Sequence, residues 1–117
     1  MKTKKELWEV YTQSSSDLVR EVVLDVLDNC NTDDEVQNYL NQVVTIGGIN
    51  AAIPSLIYFT ECEAFVKKNL VEILSLYDEN KEFIDPKQTI DVSFLSWYSY
   101  EYICNRILDG TVEDFNL

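Results

Sequence analysis

The sequence contains no histidine. At neutral pH this removes the usual general base, and with it the Ser-His and Cys-His nucleophile pairs. The three cysteines, Cys30, Cys62 and Cys104, are odd in number and widely spaced. They make no CxxC pair and no zinc-like ligand set, and no imidazole is present to complete one. Gly47-Gly48 is not followed by Lys and Ser or Thr, so it is not a Walker loop. The expectation is a non-enzymatic protein with no metal and no cofactor. Basic residues are scarce as well, 9 Lys plus Arg against 21 Asp plus Glu, a net charge of −12. Lys2, Lys4 and Lys5 take three of the nine, so from Glu6 onward 6 bases face 21 acids, or −15. Such a surface repels phosphate, which argues against direct nucleic-acid binding and against docking on anionic membranes. It favours basic protein surfaces, including the nucleic-acid channels of other proteins. Long apolar runs are also missing. Ile49 to Phe59 is about half the length that spans a bilayer, and Pro54 and Ser55 interrupt it. The lysines followed by Glu6, Leu7, Trp8 and Glu9 lack the apolar core of a secretory leader. Free thiols in a reducing cytoplasm are therefore expected.

What remains is the length of one domain, 117 residues, of which 46% are apolar and 26% charged. That is globular composition, sufficient for a core without disulfides. Apolar residues recur at three- and four-residue intervals along most of the chain, a helical period. Thr3-Lys4-Lys5-Glu6 has capping-box form and precedes Leu7, Val10 and Tyr11. Ser14 to Ser16 punctuate, and Asp17 opens a stretch carrying Leu18, Val19, Val22, Val23, Val26 and Leu27. Its valines oppose a helix mildly, because β-branching costs side-chain freedom there. Thr32-Asp33-Asp34-Glu35 is a second capping box, followed by Val36, Tyr39, Leu40, Val43 and Val44 and ended by Gly47-Gly48. The ambiguous Ile49 to Phe59 reads as a short buried helix. A third box, Thr60-Glu61-Cys62-Glu63, is expected to start the strongest helix, with Phe65, Val66, Leu70, Ile73, Leu74 and Tyr77 on its buried face. Glu63 and Lys67 are placed for an i,i+4 ion pair. Asp78 to Asp85 reads as a helix end and loop. A final helix capped by Asp91 or Thr89 runs from Phe94 to Leu108 and stops at Gly110, leaving a short acidic tail. The sum is an all-α fold, a compact single-domain bundle of five or six helices over residues 1–117.

Carboxylates are the abundant functional groups. Asp17, Glu21, Asp25 and Asp28 stand at i, i+4, i+8 and i+11 and so share one helical face. Four residues rise about 6 Å along a helix, comparable with the spacing of phosphates along a nucleic-acid strand. The row can imitate a phosphate backbone for a basic groove, or it can be the solvated face of an amphipathic helix. Only Arg20 interleaves a positive charge. A second cluster, Asp78, Glu79, Glu82 and Asp85, surrounds the end of the long helix, where negative charge opposes the helix dipole. It is either a partner-binding surface or a charged loop. Asp33, Asp34 and Glu35 are explained by capping more simply than by Mg²⁺. Phe94, Trp97 and Tyr98 share a face and read as core. Tyr100 falls off that stripe, so an exposed Tyr100 beside Glu101 suits a protein partner.

Two segments carry a resemblance. Gly48 to Phe65 contains Leu56-Ile57-Tyr58-Phe59, an acid at Glu61 and a later Phe65, and Phe94-Leu95-Ser96-Trp97-Tyr98-Ser99-Tyr100-Glu101 is an aromatic helix ending in Glu. In order and separation they resemble a family of small uncharacterised proteins carried by bacteriophages and other mobile elements, over about half the chain. Members of that family often have His-Gly-Cys ahead of the first motif. Thr45-Ile46-Gly47-Gly48 stands there in this chain, so any role of that His or Cys is lost. The resemblance assigns no catalytic or binding residue. It implies an anti-defence origin, in which short acidic proteins such as anti-CRISPRs block host systems, some by resembling nucleic acid. The expectation is a stoichiometric inhibitor binding a Cas effector through Asp17, Glu21, Asp25, Asp28 and the Asp78 to Asp85 cluster, in the host cytoplasm. The alternative is a phage accessory protein acting as a structural or interaction module, for example as a homodimer.

Overall fold

The computed structural model describes residues 1–46 and 58–110. Among them all regular structure is helical, as the apolar spacing predicts. The elements are α1 (Lys4–Gln13), α2 (Asp17–Asp28), α3 (Asp33–Ile46), α4 (Phe59–Lys68), α5 (Leu70–Asn80), α6 (Val92–Leu95) and α7 (Ser99–Asp109). Single 3-10 turns occupy Lys81–Phe83 and Ser96–Tyr98. The expected short helix at Ile49 to Phe59 falls, up to Ile57, outside the described residues, as do the Gly47-Gly48 stop and the tail from Thr111. The chain divides into two compact units, Met1–Ile46 with Ile103–Leu117, and Gly47–Tyr102.

In the first unit the helix starts follow from local hydroxyl chemistry. The Thr3 Oγ1 accepts the Glu6 N–H at 3.2 Å, Ser16 accepts that of Val19 at 3.3 Å, and Thr32 accepts that of Glu35 at 3.2 Å. Each satisfies one of the N–H groups that a helix start leaves without a partner. The Glu35 carboxylate returns a bond by accepting the Asn31 N–H at 3.0 Å. Asp33 reaches further and accepts the Lys4 N–H at 2.9 Å, while Gln37 accepts the Lys2 N–H at 2.6 Å. The start of α1 is thus tied to the start of α3. On α2 all six expected apolar residues are buried, four of them valines. Burial of a valine contributes about 1.5–3 kcal/mol, which outweighs its helix penalty of under ~1 kcal/mol. Leu7, Val10, Val36, Leu40 and Val43 complete the apolar lining from α1 and α3. α7 ends where expected. The Gly110 N–H bonds the Arg106 carbonyl at 2.8 Å, and a Cβ added to Gly110 would stand 2.8 Å from that same oxygen, so a side chain does not fit. The Lys2 Nζ donates to the Gly110 carbonyl at 2.9 Å.

The second unit departs from expectation in four places. α4 begins at Phe59 with no side-chain cap, so Thr60 lies inside the helix and the third capping box does not form. The long helix is broken at Asn69, whose backbone (φ −117°, ψ 34°) is not helical. The Asn69 Nδ2 donates to the Phe65 carbonyl at 3.0 Å, and its Oδ1 accepts the Tyr102 hydroxyl at 3.3 Å. The break swings α5 so that Ile73 is buried while Leu70 and Leu74 face solvent, contrary to their expected place in the core. Glu63 and Lys67 are not ion-paired among the described residues, and Glu63 instead accepts the Ser93 hydroxyl at 3.4 Å. The final helix is split into α6, a 3-10 turn and α7. Its start is the expected one, with Asp91 Oδ1 accepting the Phe94 N–H at 2.8 Å.

Candidate functional site

The expected acidic row lies wholly on α2, from its first residue, Asp17, to its last, Asp28, a rise of about 16 Å at 1.5 Å per residue. The row faces away from the buried valine and leucine side. Asp17, Glu21 and Asp28 are exposed and Asp25 is half-buried. The interleaved Arg20 forks between the Asp17 carboxylate and the Ser14 carbonyl. Asp17 therefore offers a partner less net charge than a carboxylate without a cation beside it. It also stands in the first turn, where the helix dipole favours an anion. Asp28 stands at the opposite end, where the dipole opposes it, and no basic residue occupies that last turn. The turn 29–32 connects Asp28 to Asp33 and Asp34, both exposed, so the acidic surface continues onto the start of α3. Spacing along a single helix does not register that extension, because the chain turns between the two groups.

The second cluster belongs to the other unit. Asp78 and Glu79 close α5, Glu82 sits in the 3-10 turn, and Asp85 follows in a loop; all four are exposed. Asp85 has a local task. Its Oδ1 accepts the Lys87 N–H and its carbonyl accepts the Gln88 N–H, both at 2.9 Å, closing a turn with Pro86 at its second position. Asp78, Glu79 and Glu82 have no such bond among the described residues.

The aromatic segment differs from expectation. Tyr100 and Glu101 are buried, so they form no exposed partner-binding pair. Every residue from Tyr98 to Cys104 is buried, so the first turns of α7 have no solvent-facing stripe for an off-face residue to occupy. Tyr98 is fully buried as expected, but Phe94 and Trp97 are half-buried. With Phe59, Gln88, Asp91 and Ser93 they line a shallow groove of about 530 Å³. Tyr77, Phe94 and Tyr98 form an edge-to-face chain with centroid separations of 6.5 and 6.2 Å. The Tyr98 hydroxyl has no hydrogen-bond partner among the described residues. Burial pushes its pKa up to about 12, with nearby Glu101 adding to the rise.

No disulfide joins the cysteines, and all three are buried. Burial raises the Cys30 and Cys62 thiols above their ordinary value; Glu35 adds to the effect at Cys30, and the Ser99 hydroxyl opposes it at Cys62. Among the described residues no group of three or more Cys, Asp or Glu could hold a metal ion. No helix among them is long and apolar enough to cross a membrane.

One exposed feature has no counterpart in the sequence expectations. Val71 is 79% exposed, and Leu70 and Leu74 beside it are 40% and 37% exposed. The signal was available, since Val71 falls opposite the buried Ile73 on the helical wheel and lies outside the expected buried face, but Leu70 and Leu74 at helical spacing read as core.

No curated protein and no solved structure matches the chain. A family model does, the one described as a domain of unknown function (DUF7222), over residues 8–113, and the chain belongs to that family.

Proposed function

We propose that this protein is a stoichiometric inhibitor of a host defence system, most specifically an anti-CRISPR protein acting in the bacterial cytoplasm. In this reading Glu21, Asp25 and Asp28 on α2, supported by Asp17, face the basic residues that a Cas effector uses to hold nucleic acid. The Asp78, Glu79, Glu82 and Asp85 cluster supplies further contacts. The observation that carries the reading is the row of four carboxylates along one face of α2 in a chain of net charge −12. Such a face accelerates docking on a Lys- and Arg-lined channel and excludes the nucleic acid that belongs there. The protein needs no catalytic group for this, because occupancy alone inhibits.

The test is competition between the purified protein and target DNA for a guide-loaded Cas nuclease. Saturable displacement near one protein per effector is expected, weakening as salt screens the exposed charges. The triple variant E21K/D25K/D28K, checked for helicity by circular dichroism, is expected to lose displacement. Unchanged displacement by that variant would remove α2 from the interface.

A second reading has its own observation. The exposed apolar residues Leu70, Val71 and Leu74 suit an accessory protein that works as an interaction module. Salt-resistant assembly, with no effect on any defence nuclease, is the outcome that favours it.

A further inference from the structure

We propose that the shallow groove lined by Phe59, Phe94 and Trp97 is a receptor for an arginine side chain presented by a basic protein partner. The groove lies wholly within the second unit and the α2 row within the first. The inference does not rest on the inhibitor reading, and either can fail alone.

Three aromatic residues and one carboxylate supply the chemistry. Phe94 is already engaged edge-to-face by Tyr77 and Tyr98, but Phe59 and Trp97 meet no other ring among the described residues. Both are half-buried, so part of each ring is open to a ligand. Asp91 is exposed. Its Oδ1 caps α6 by accepting the Phe94 N–H at 2.8 Å, and its Oδ2 has no partner among the described residues. Ser93, which also lines the groove, donates to the Glu63 carboxylate at 3.4 Å and so sets a second negative charge beside the first. Among the described residues no Lys or Arg lines the groove. Lys87 precedes Gln88 and Lys67 stands one turn beyond Glu63, but neither pairs with Asp91 or Glu63 among the described residues.

This combination selects the occupant. A nucleic acid or an acidic segment meets the Asp91 and Glu63 carboxylates. Open aromatic faces beside an unspent carboxylate oxygen favour a cation that is also flat, and a guanidinium stacks on a ring while its N–H groups reach a carboxylate. The Gln88 side-chain carbonyl lines the same groove and has no donor among the described residues, which makes it a second acceptor. The Trp97 indole N–H has no acceptor among the described residues. An arginine side chain carries donors only, so it leaves that N–H unmet, whereas a peptide carbonyl beside the arginine accepts it. The occupant is therefore an arginine within a polypeptide, not a free guanidinium compound. A second copy of this chain does not supply it. Of its two arginines, Arg20 is held by the Asp17 carboxylate and the Ser14 carbonyl, and Arg106 is half-buried on α7. One side chain in a shallow groove of about 530 Å³ binds weakly by itself, so it acts as an anchor within a larger interface.

The experiment is an NMR titration of the full, isotope-labelled chain with acetyl-glycyl-arginyl-glycinamide at ~0.15 M salt, where screening limits the pull of distant carboxylates. The chain's two tryptophans give two indole N–H signals, and Trp8, exposed in the first unit, is the internal control. The Trp97 signal is expected to shift saturably at millimolar peptide while that of Trp8 stays in place. Replacing the arginine by citrulline, its neutral isostere, is expected to weaken binding roughly tenfold. Lysine in its place is expected to bind several-fold more weakly, because an ammonium does not stack. Asp91→Asn keeps a competent helix cap and is expected to lower the arginine affinity about fivefold, with the helical circular dichroism unchanged. A Trp97 signal that does not move overturns the proposal. So do equal shifts at both tryptophans or a response without saturation, since these report general attraction to a chain of net charge −12. Affinity indifferent to citrulline, to lysine or to Asp91→Asn overturns it equally.

Discussion

The helices α1, α2 and α3 of the first unit start on hydroxyl caps and bury apolar side chains and a thiol. In the second unit α4 and α5 start without a side-chain cap, and Ser96, Ser99 and Glu101 are buried. α6, capped by the Asp91 carboxylate, starts on a side-chain cap as the first-unit helices do. The helix starts of the first unit are thus specified by their local sequence, while Gln37, Asp33 and the Gly110 carbonyl tie its N-terminus to distant parts of the chain. In the second unit the junction of α4 and α5 rests instead on Asn69, which donates to the Phe65 carbonyl and accepts from the distant Tyr102 hydroxyl. A buried polar group is stabilising only while its partner is in place, so the buried polar residues of the second unit are points at which it can be broken.

Substitutions test this contrast directly. The largest effect is expected from Leu40→Ala in the first unit, a fully buried side chain whose removal leaves a cavity. A loss of about 2–5 kcal/mol in urea unfolding is expected. Next comes Tyr98 in the second unit. Its folded pKa, about 12, lies above the ordinary 10, so its stabilising contribution is intact below pH 10 and is lost as pH rises through 12. The wild-type protein is expected to lose roughly 2 kcal/mol over that window, and Tyr98→Phe to lose much less. At neutral pH the same variant is expected to be as stable as wild type or more so, because it removes a buried hydroxyl without a partner among the described residues. Asn69→Ala removes both the Phe65 and the Tyr102 bonds and is expected to cost about 1–2 kcal/mol, read as a lower Tm. The smallest effect sharpens the comparison most. Thr32→Ala is expected to cost about 1 kcal/mol, and Thr60→Ala close to nothing, although both open the same four-residue sequence pattern.

That last pair shows where sequence reading reached and where it stopped. A capping box is legible because its donors and acceptors lie within four residues, and at Thr3 and Thr32 nothing distant competes. At Thr60 the helix begins earlier, so the same pattern has no free N–H group to satisfy. The break at Asn69 was not legible, since asparagine is tolerated inside helices and the tyrosine that engages it lies 33 residues away. Misplacing Leu70 and Leu74 followed from missing that break. The burial of Tyr100 and Glu101 was not legible for a different reason: all residues from Tyr98 to Cys104 are buried, so falling off the apolar stripe does not mean facing solvent there. In the candidate interface the α2 row was legible from spacing alone, and the Arg20 fork onto Asp17 is the i,i+3 contact that spacing allows. Its continuation onto Asp33 and Asp34 was not, because a turn intervenes.

The burial of the cysteines has a practical consequence. Cys30 belongs to the first unit and Cys62 to the second, with exposures of 4% and 1%, and burial disfavours the thiolate of each. A maleimide in the surrounding solution therefore reacts with either one only when its own unit opens. Followed by mass spectrometry with residue-level assignment, the two alkylation rates become independent clocks. One times the breathing of the hydroxyl-capped helices and the other that of the aromatic segment, in a single unmutated chain.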